Sequence, residues 1–512
     1  MIKWILALAL ACLAGVLRAQ VTISGRILDQ RNRPVSGVSI AIRDAYDGAT
    51  SDSAGNYRFT TTEKGKKVLE ASSVGYRPFT LDIVVLDSDI RQDIILREEI
   101  SELKAVVISA GTFEASDKKK ATVLNPIDIV TTASGNGDVT GALKSLPGAQ
   151  QVGESEGLFV RGGTAAETKT FIDGTLVNNF FFSSVPNIAQ RSRFSPFIFK
   201  GTVFSTGGYS ALYGQAMSSA LILESIDLPD QSAGSLGITL IGLSGGYQHL
   251  DKNGKWSAGA NYGYSDLSLA FALIPQQQEY EQVPVYHNAD LNFRVKTSRN
   301  GMLKYYGTFG ANRLKFFTAS LDTLGYLSGF GLRNLNHYHN LSWRENLGRR
   351  WKMNAGLSYT YNRDDIESGI YSDDKQPVLI SGLEFRDYEL ERTGHYVNAK
   401  LVLERRLFGL NTIRFGGEFN RLDDQTDFLA FNNQLFPVTV QDNISAGFAE
   451  TDLYITNDLA AKIGGRLEHS SLLDRTNIAP RLSLAYKTGK FSQASLAYGI
   501  FYQNPETRFI AP

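Results

Sequence analysis

The chain is 512 residues long, too long for one ordinary domain and close to three at roughly 150 residues each. Lys+Arg and Asp+Glu both total 52, so no net basic field argues for nucleic acid. The mean hydropathy is slightly negative, which excludes a bundle of transmembrane helices but not a transmembrane β-barrel, where only every second residue is apolar.

Lys3 precedes an apolar run at residues 4–17, and Arg18-Ala19-Gln20 closes it. This pattern predicts a secretory signal peptide over residues 1–20. The run is shorter than the ~17–25 residues of a spanning helix. Cys12, the single cysteine, lies inside it. A lipoprotein cut before Cys12 fits less well, because Leu13 follows and the apolar stretch continues. The mature chain then has no cysteine for a disulfide scaffold or a Cys-based zinc site.

Residues 21–97 read as short antiparallel strands separated by turns: Val21, Ile23 and Ile27; Val38, Ile40 and Ile42; Tyr57 and Phe59; and Ile94 to Leu96 at the close. Gly25, Asp29, Pro34, Gly37, Val38, Gly55, Tyr57, Phe59 and Gly75-Tyr76 are the residues by which this segment resembles the carboxypeptidase regulatory-like domain. The resemblance implies a small prealbumin-like β-sandwich with an accessory role. It implies no peptidase, and the chain contains neither H-x-x-E nor H-E-x-x-H.

Residues 98–120 form a linker. Within it Leu103-Lys104-Ala105-Val106-Val107-Ile108-Ser109 is β-prone and flanked by Glu98, Glu99, Glu102 and the run Lys118 to Lys120. Such a stretch suits strand addition to a partner's sheet edge, or a plain linking strand.

Residues 121–231 open with a predicted short helix over residues 142–146, stopped by Pro147 and Gly148. Strand-then-turn units follow at Val160-Arg161-Gly162-Gly163 and Ile172-Asp173-Gly174, then Gly208-Tyr209-Ser210-Ala211-Leu212-Tyr213-Gly214. This order, with Leu146-Pro147-Gly148 at its head, resembles the plug of TonB-dependent outer-membrane receptors. The resemblance places Leu103, Val106, Val107, Ile108 and Ser109 where that family keeps its TonB box. It implies that Arg161, Gly162 and Gly163 serve the plug's fold and its hold on a barrel.

In residues 232–512 alternation dominates. Trp351, Met353, Ala355, Leu357, Tyr359 and Tyr361 alternate with Lys352, Asn354, Gly356, Ser358, Thr360 and Asn362. Trp256 to Tyr264, Ala289 to Val295, Ile413 to Phe419 and Leu459 to Leu467 behave alike. Period 2 over about 10 residues, many times repeated, predicts a transmembrane antiparallel β-barrel with aromatic girdles. About 12 strands can be placed, and short polar links at residues 252–254, 299–301 and 488–490 contrast with longer ones at 276–281, 363–376 and 421–434. The plug resemblance implies about 22 strands, so the barrel is expected to be C-terminally incomplete by roughly 230 residues.

Three motifs are weighed as decoys. Gly242-Leu243-Ser244-Gly245-Gly246 fits G-x-S-x-G but lies in an alternating strand rather than a strand-turn-helix elbow. Gly135 to Gly141 is one residue off a dinucleotide motif. His337 and His339 share a strand face but lack a third ligand nearby. The acidic pairs Asp364-Asp365, Asp373-Asp374 and Asp423-Asp424 are assigned to solvated long loops.

The expected whole is mainly β: an N-terminal prealbumin-like sandwich, an α+β plug and a transmembrane barrel. By resemblance it is a non-enzymatic receptor and transporter, exported to a Gram-negative outer membrane and in contact with its lipid. It takes up a scarce or bulky extracellular substrate with energy from TonB and its inner-membrane complex, and uses no metal, cofactor or nucleic acid. The alternative is a binding or signalling receptor that transports little. A passive porin is the third reading, opposed by the plug segment.

Overall fold

A computed structural model of the chain describes residues 20–29, 32–96, 122–150 and 157–510, apart from short breaks within these ranges. The candidate TonB-box residues Leu103, Val106, Val107, Ile108 and Ser109, the signal segment and Pro147 lie outside the described residues. The chain divides into two compact units, residues 1–107 and 108–512.

In the first unit, two four-stranded sheets carry alternating apolar side chains. One joins β1 (Val21–Asp29), β4 (Asn56–Thr61), β7 (Ile90–Arg91) and β8 (Ile94–Leu96); the other runs β3 (Gly48–Thr50), β2 (Ser39–Ile42), β5 (Gly65–Ser72), β6 (Phe79–Val85). Ile23, Ile27, Ile40, Leu69, Val85 and Leu96 from both sheets form one buried core. Gly25 is required by close approach, since a Cβ there would lie 1.8 Å from the Gln92 carbonyl oxygen.

In the second unit, a central five-stranded sheet is ordered β13 (Thr175–Val177), β12 (Thr168–Ile172), β15 (Ser219–Ser225), β14 (Phe199–Ser205), β9 (Thr122–Leu124). A small hairpin, β10 (Ala149–Gln150) with β11 (Phe159–Val160), and two short helices, α1 (Pro126–Thr131) and α2 (Val139–Leu143), pack beside it. Helix α2 starts and stops earlier than expected because the Asp138 carboxylate caps it, accepting from the Gly141 N–H at 2.9 Å.

Around this plug runs a 13-stranded antiparallel meander from β16 (Ala233–Thr239) to β28 (Ser492–Gly499), each strand paired with its sequence neighbour. Between them lie β17 (Gly242–Leu250), β18 (Trp256–Asp266), β19 (Glu279–Val295), β20 (Met302–Ala319), β21 (Leu327–Leu347), β22 (Trp351–Tyr371), β23 (Tyr388–Arg406), β24 (Thr412–Ala430), β25 (Leu435–Tyr454), β26 (Leu459–Ser470) and β27 (Arg475–Gly489). Among the described residues β16 and β28 each pair on one side only.

The burial pattern is inside out. Leu291, Leu357, Leu401, Ile463 and Leu467 are exposed, whereas Asn340, Asn398, Lys400, Glu418, Glu450, Lys462 and Arg466 are buried. A sheet folded for water on its outer face would do the opposite; this wall presents its apolar face to lipid and its polar face to the plug. Trp256 and Trp351 open β18 and β22 at one margin of the apolar band. Further along the strands, Tyr and His side chains pair across strands on the outer face: Tyr262 with His287 at 2.7 Å, Tyr305 with His339 at 2.8 Å and Tyr359 with His395 at 2.9 Å. His337 stacks on Tyr361 with ring centroids 4.9 Å apart. His337 and His339 thus belong to a cluster of Tyr and His rings on the outer face.

The wall differs from expectation at the long links. β22 runs on to Tyr371, and β24 and β25 leave only residues 431–434 between them. Asp364, Asp365, Asp423 and Asp424 therefore lie on strands, and Tyr359 and Tyr361 sit mid-strand. The link at residues 276–281 likewise shortens, because β19 begins at Glu279 after a short helix, α3 (Ser268–Leu273). The reason is physical: beyond the lipid band both faces meet polar surroundings, so alternation fades while the hydrogen-bond ladder continues. The Gly242 to Gly246 motif lies wholly within β17, in register with β18.

Candidate functional site: the plug and its seat in the wall

The expected plug motifs meet in space. Val160 is buried in the plug core and Leu146 packs partly against it. The Arg161 N–H donates to the Gly148 carbonyl at 2.8 Å, so the Leu-Pro-Gly and Val-Arg-Gly-Gly segments form one hairpin. Gly148, Arg161 and Gly162 all have left-handed φ, at 81°, 49° and 84°. Gly163 must lack a side chain, because a Cβ would lie 2.5 Å from that of Ser218. Arg161 itself is exposed, and among the described residues its guanidinium makes no hydrogen bond to the wall. Its part is in the plug's own turn.

Ile172 is buried, and Asp173-Gly174 with φ of 48° and 92° forms the two-residue turn between β12 and β13. The Asp173 carboxylate accepts from the Ser225 N–H at 3.0 Å, the Ser225 hydroxyl at 2.5 Å, Lys304 Nζ on β20 at 3.1 Å and the Ser342 hydroxyl on β21 at 3.3 Å. Asp227 and Glu224 extend the cluster to Arg344 on β21 at 3.3 and 3.0 Å, and to Lys200 at 2.9 and 2.6 Å. Burial alone would raise the Asp173 pKa, but Lys304 and the Ser225 hydrogen bonds outweigh it and hold the carboxyl below its ordinary 3.8. A depressed pKa stabilises the folded state above the unfolded value and ceases to do so as pH falls through the folded one. Asp173→Asn is thus expected to speed proteolytic release of the plug at pH 7. The difference from the parent should shrink as the pH falls through the depressed folded-state pKa of Asp173. An effect that stays the same as the pH is lowered would show that the charge plays no part.

On the other flank, residues 209–215 of the plug are gripped by four strands. The Ser210 hydroxyl and the Ala211 N–H both donate to the Glu450 carboxylate of β25, each at 2.9 Å. Gln215 donates to Glu468 of β26, Lys400 of β23 donates to the Leu212 carbonyl, and Arg481 of β27 donates to the carbonyls of Tyr209 and Ser210. Arg466 bridges Glu418 of β24 at 3.0 Å and Glu468 at 2.8 Å. Its guanidinium fills the space a Gly214 side chain would need, since a Cβ there would come within 2.5 Å. Tyr213 packs on Phe171 with ring centroids 4.8 Å apart, and Lys400 lies 4.9 Å over the Tyr213 ring. Between the two flanks, Asn340 donates to Thr175 at 2.7 Å and the Leu176 N–H to Asn398 at 3.2 Å.

The sequence named Asp173, Tyr213 and Gly214 as plug-motif positions and carried Ser210 and Ala211 within the same motif, but it pointed to neither Gln215 nor any wall partner. The available signal was charge at lumen-facing positions of neighbouring strands: Glu418, Glu450, Lys462 and Arg466.

Residues 119–220 match the family model described as TonB-dependent Receptor Plug Domain, and residues 285–505 match the TonB dependent receptor-like, beta-barrel. The chain thus carries the plug and barrel domains of TonB-dependent receptors. Its first unit carries the CarboxypepD_reg-like domain, matched over residues 23–108 and so running through Leu103, Val106, Val107 and Ile108. No curated protein matches the chain by sequence. Among solved structures, the receptor resembles a mutant ferric enterobactin receptor from Pseudomonas aeruginosa (14% identity, 78% of this chain, 64% of that chain, TM-score 0.57). It also resembles the alcaligin outer membrane receptor from Bordetella pertussis (12%, 78% and 66%, TM-score 0.54). A third is the outer membrane transporter YddB from Escherichia coli (12%, 75% and 61%, TM-score 0.55). These likenesses show the fold, and the chain spans less than two thirds of the length of each.

Proposed function

We propose that the receptor sits in the outer membrane and imports a scarce or bulky solute with energy delivered by TonB. The observation that carries this reading is a folded plug held inside a lipid-facing wall by polar contacts that are individually breakable. A plugged lumen passes nothing by diffusion, and an outer membrane holds no ATP, so work must arrive by contact with a partner. The segment with Val106, Val107 and Ile108, ahead of the plug, offers a strand to such a partner. The chain does no covalent chemistry in this scheme. Solutes bind from outside, the pull shifts the plug, and the wall stays as a frame.

The test is capture of the full-length receptor, extracted from outer-membrane fractions, on immobilised periplasmic domain of TonB. Specific retention, strengthened by extracts containing the substrate, is the expected result. A receptor found in another fraction, or one that flows through, would refute the proposal.

A further inference from the structure

After β28 the backbone makes one more bond to the wall, from the Ile500 N–H to the Pro480 carbonyl at 3.0 Å, and then turns into the lumen. The following residues touch the plug three times. The Phe501 ring lies 4.7 Å from that of Tyr209, with the Arg481 guanidinium 4.6 Å over it. Gln503 Nε2 donates to the Ala166 carbonyl at 2.9 Å, and the Asn504 N–H donates to Gln215 Oε1 at 3.0 Å. The same residues are fastened to the wall. Asn504 Nδ2 donates to Asp442 of β25 at 2.6 Å and to the Ser470 hydroxyl of β26 at 3.0 Å, and Arg392 of β23 donates to the Thr507 hydroxyl at 2.6 Å.

We propose that residues 501–509 are a strap that locks the plug to the wall, with Asn504 and Gln215 as its fastening. Gln215 sits where three bodies meet: its amide nitrogen donates to Glu468 of the wall and its amide oxygen accepts from the strap. It is also one of the few non-glycine residues with left-handed φ, at 59°, a conformation that persists only when its surroundings hold it. Glu468 leads on through Arg466 and Glu418 to Lys400, which holds the Leu212 carbonyl of the plug. Releasing Asn504 therefore loosens one end of the whole grip on residues 209–215. A loop that merely filled space would pack through apolar contacts on one body. This one places its polar groups on two bodies at once, and its contacts reach four wall strands and two separate plug segments. The strap acts on the closed state and operates without TonB, so it stands or falls separately from the proposed energy source.

The test uses full-length receptor in planar lipid bilayers with no TonB present. Asn504→Ala and the double variant Phe501→Ala with Gln503→Ala should raise the open probability about tenfold over the parent, the factor expected from losing one or two net hydrogen bonds. Heat-modifiable migration on gels confirms a folded wall. Folded variants with parental conductance would overturn the proposal. Hydrogen exchange on the unaltered receptor gives a second readout: amides of residues 501–507 should open together with plug residues 209–217. Exchange of the strap within the first seconds, while those plug residues stay protected, would equally overturn it.

Discussion

Deletion of residues 106–108 is expected to abolish energised uptake while leaving binding of substrate at the cell surface unchanged. The three residues are β-branched and apolar, Val106, Val107 and Ile108, and they lie between acidic and basic flanks in a linker. A partner that adds a strand reads main-chain groups, so the loss removes both the hydrogen bonds and the side chains that set register. At about 0.5–1.5 kcal/mol per net hydrogen bond, three residues carry most of what a short strand contributes. The plug and its seat lie C-terminal to the deletion and make none of their described contacts through it. Retention on immobilised TonB domain should fall to background, and accumulation of labelled substrate should fall to the level of a strain lacking TonB. Uptake that survives the deletion would sink the mechanism and favour a receptor worked from elsewhere. The family model for the first unit extends through residue 108, so the segment forms the C-terminal end of that match. A substitution of Val107 by proline tests the same point with the chain length kept, because proline removes a donor and is excluded from paired strands.

The second large effect is expected at Glu450. Its carboxylate holds the plug through Ser210 and Ala211 and lies 3.7 Å from both Arg414 and Lys462. The side chain is almost wholly enclosed. Glu450→Ala strands the two cations beside a lost acceptor, and breaking a buried pair in this way costs about 3–5 kcal/mol. Asp452 stays in contact with both cations, at 2.6 Å from Arg414 and 3.5 Å from Lys462, and softens the loss. Glu450→Gln keeps an acceptor for one plug donor and should cost less. Limited proteolysis reads the difference: the plug should be cut far sooner in Glu450→Ala than in the parent, with Glu450→Gln between them and the wall intact in all three. Equal cutting of parent and Glu450→Ala would show that the plug is held elsewhere.

The two outcomes bear on different halves of the proposal. The first concerns how force enters, through a segment on the N-terminal side of the plug. The second concerns what that force must break. Both flanks of the plug are held by charged groups rather than by apolar packing alone. Lys304 and Arg344 serve one flank, and Glu450, Lys400 and Arg481 serve the other. Apolar burial resists separation in proportion to area and cannot be released piece by piece, whereas hydrogen bonds to charged groups can be exchanged with water as they open. A plug that must leave and return is suited to the second kind of contact.

Part of the seat is legible in the residues alone. Ile172-Asp173-Gly174 reads as a turn because two left-handed residues in succession favour Asp and Gly, and the turn is there. That its carboxylate meets Lys304, 131 residues away, is not legible, because nothing local distinguishes Lys304 from the other polar residues of its strand. Arg161 shows the opposite case. A cation in a motif invites a partner, yet the left-handed turn leaves its side chain exposed, and the hold on the wall falls to Ser210, Ala211 and Gln215.

What the amino-acid sequence by itself determined is the class of each part. Period-2 alternation with apolar residues against charged ones fits a sheet with an apolar and a polar face, and this is a property of neighbouring residues; the inside-out burial of the wall shows that the apolar face is the outer one. Turn chemistry likewise set the turns at Arg161-Gly162 and at Asp173-Gly174. The tertiary structure alone decided which lumen residue faces which plug residue, how far the strands run past the lipid band, and that residues 501–509 leave the wall to fasten Gln215. Those depend on strand register and on sheet curvature accumulated over 13 strands. A shift of one residue in a single strand would turn Glu450 or Lys400 from the plug toward lipid without altering any local pattern.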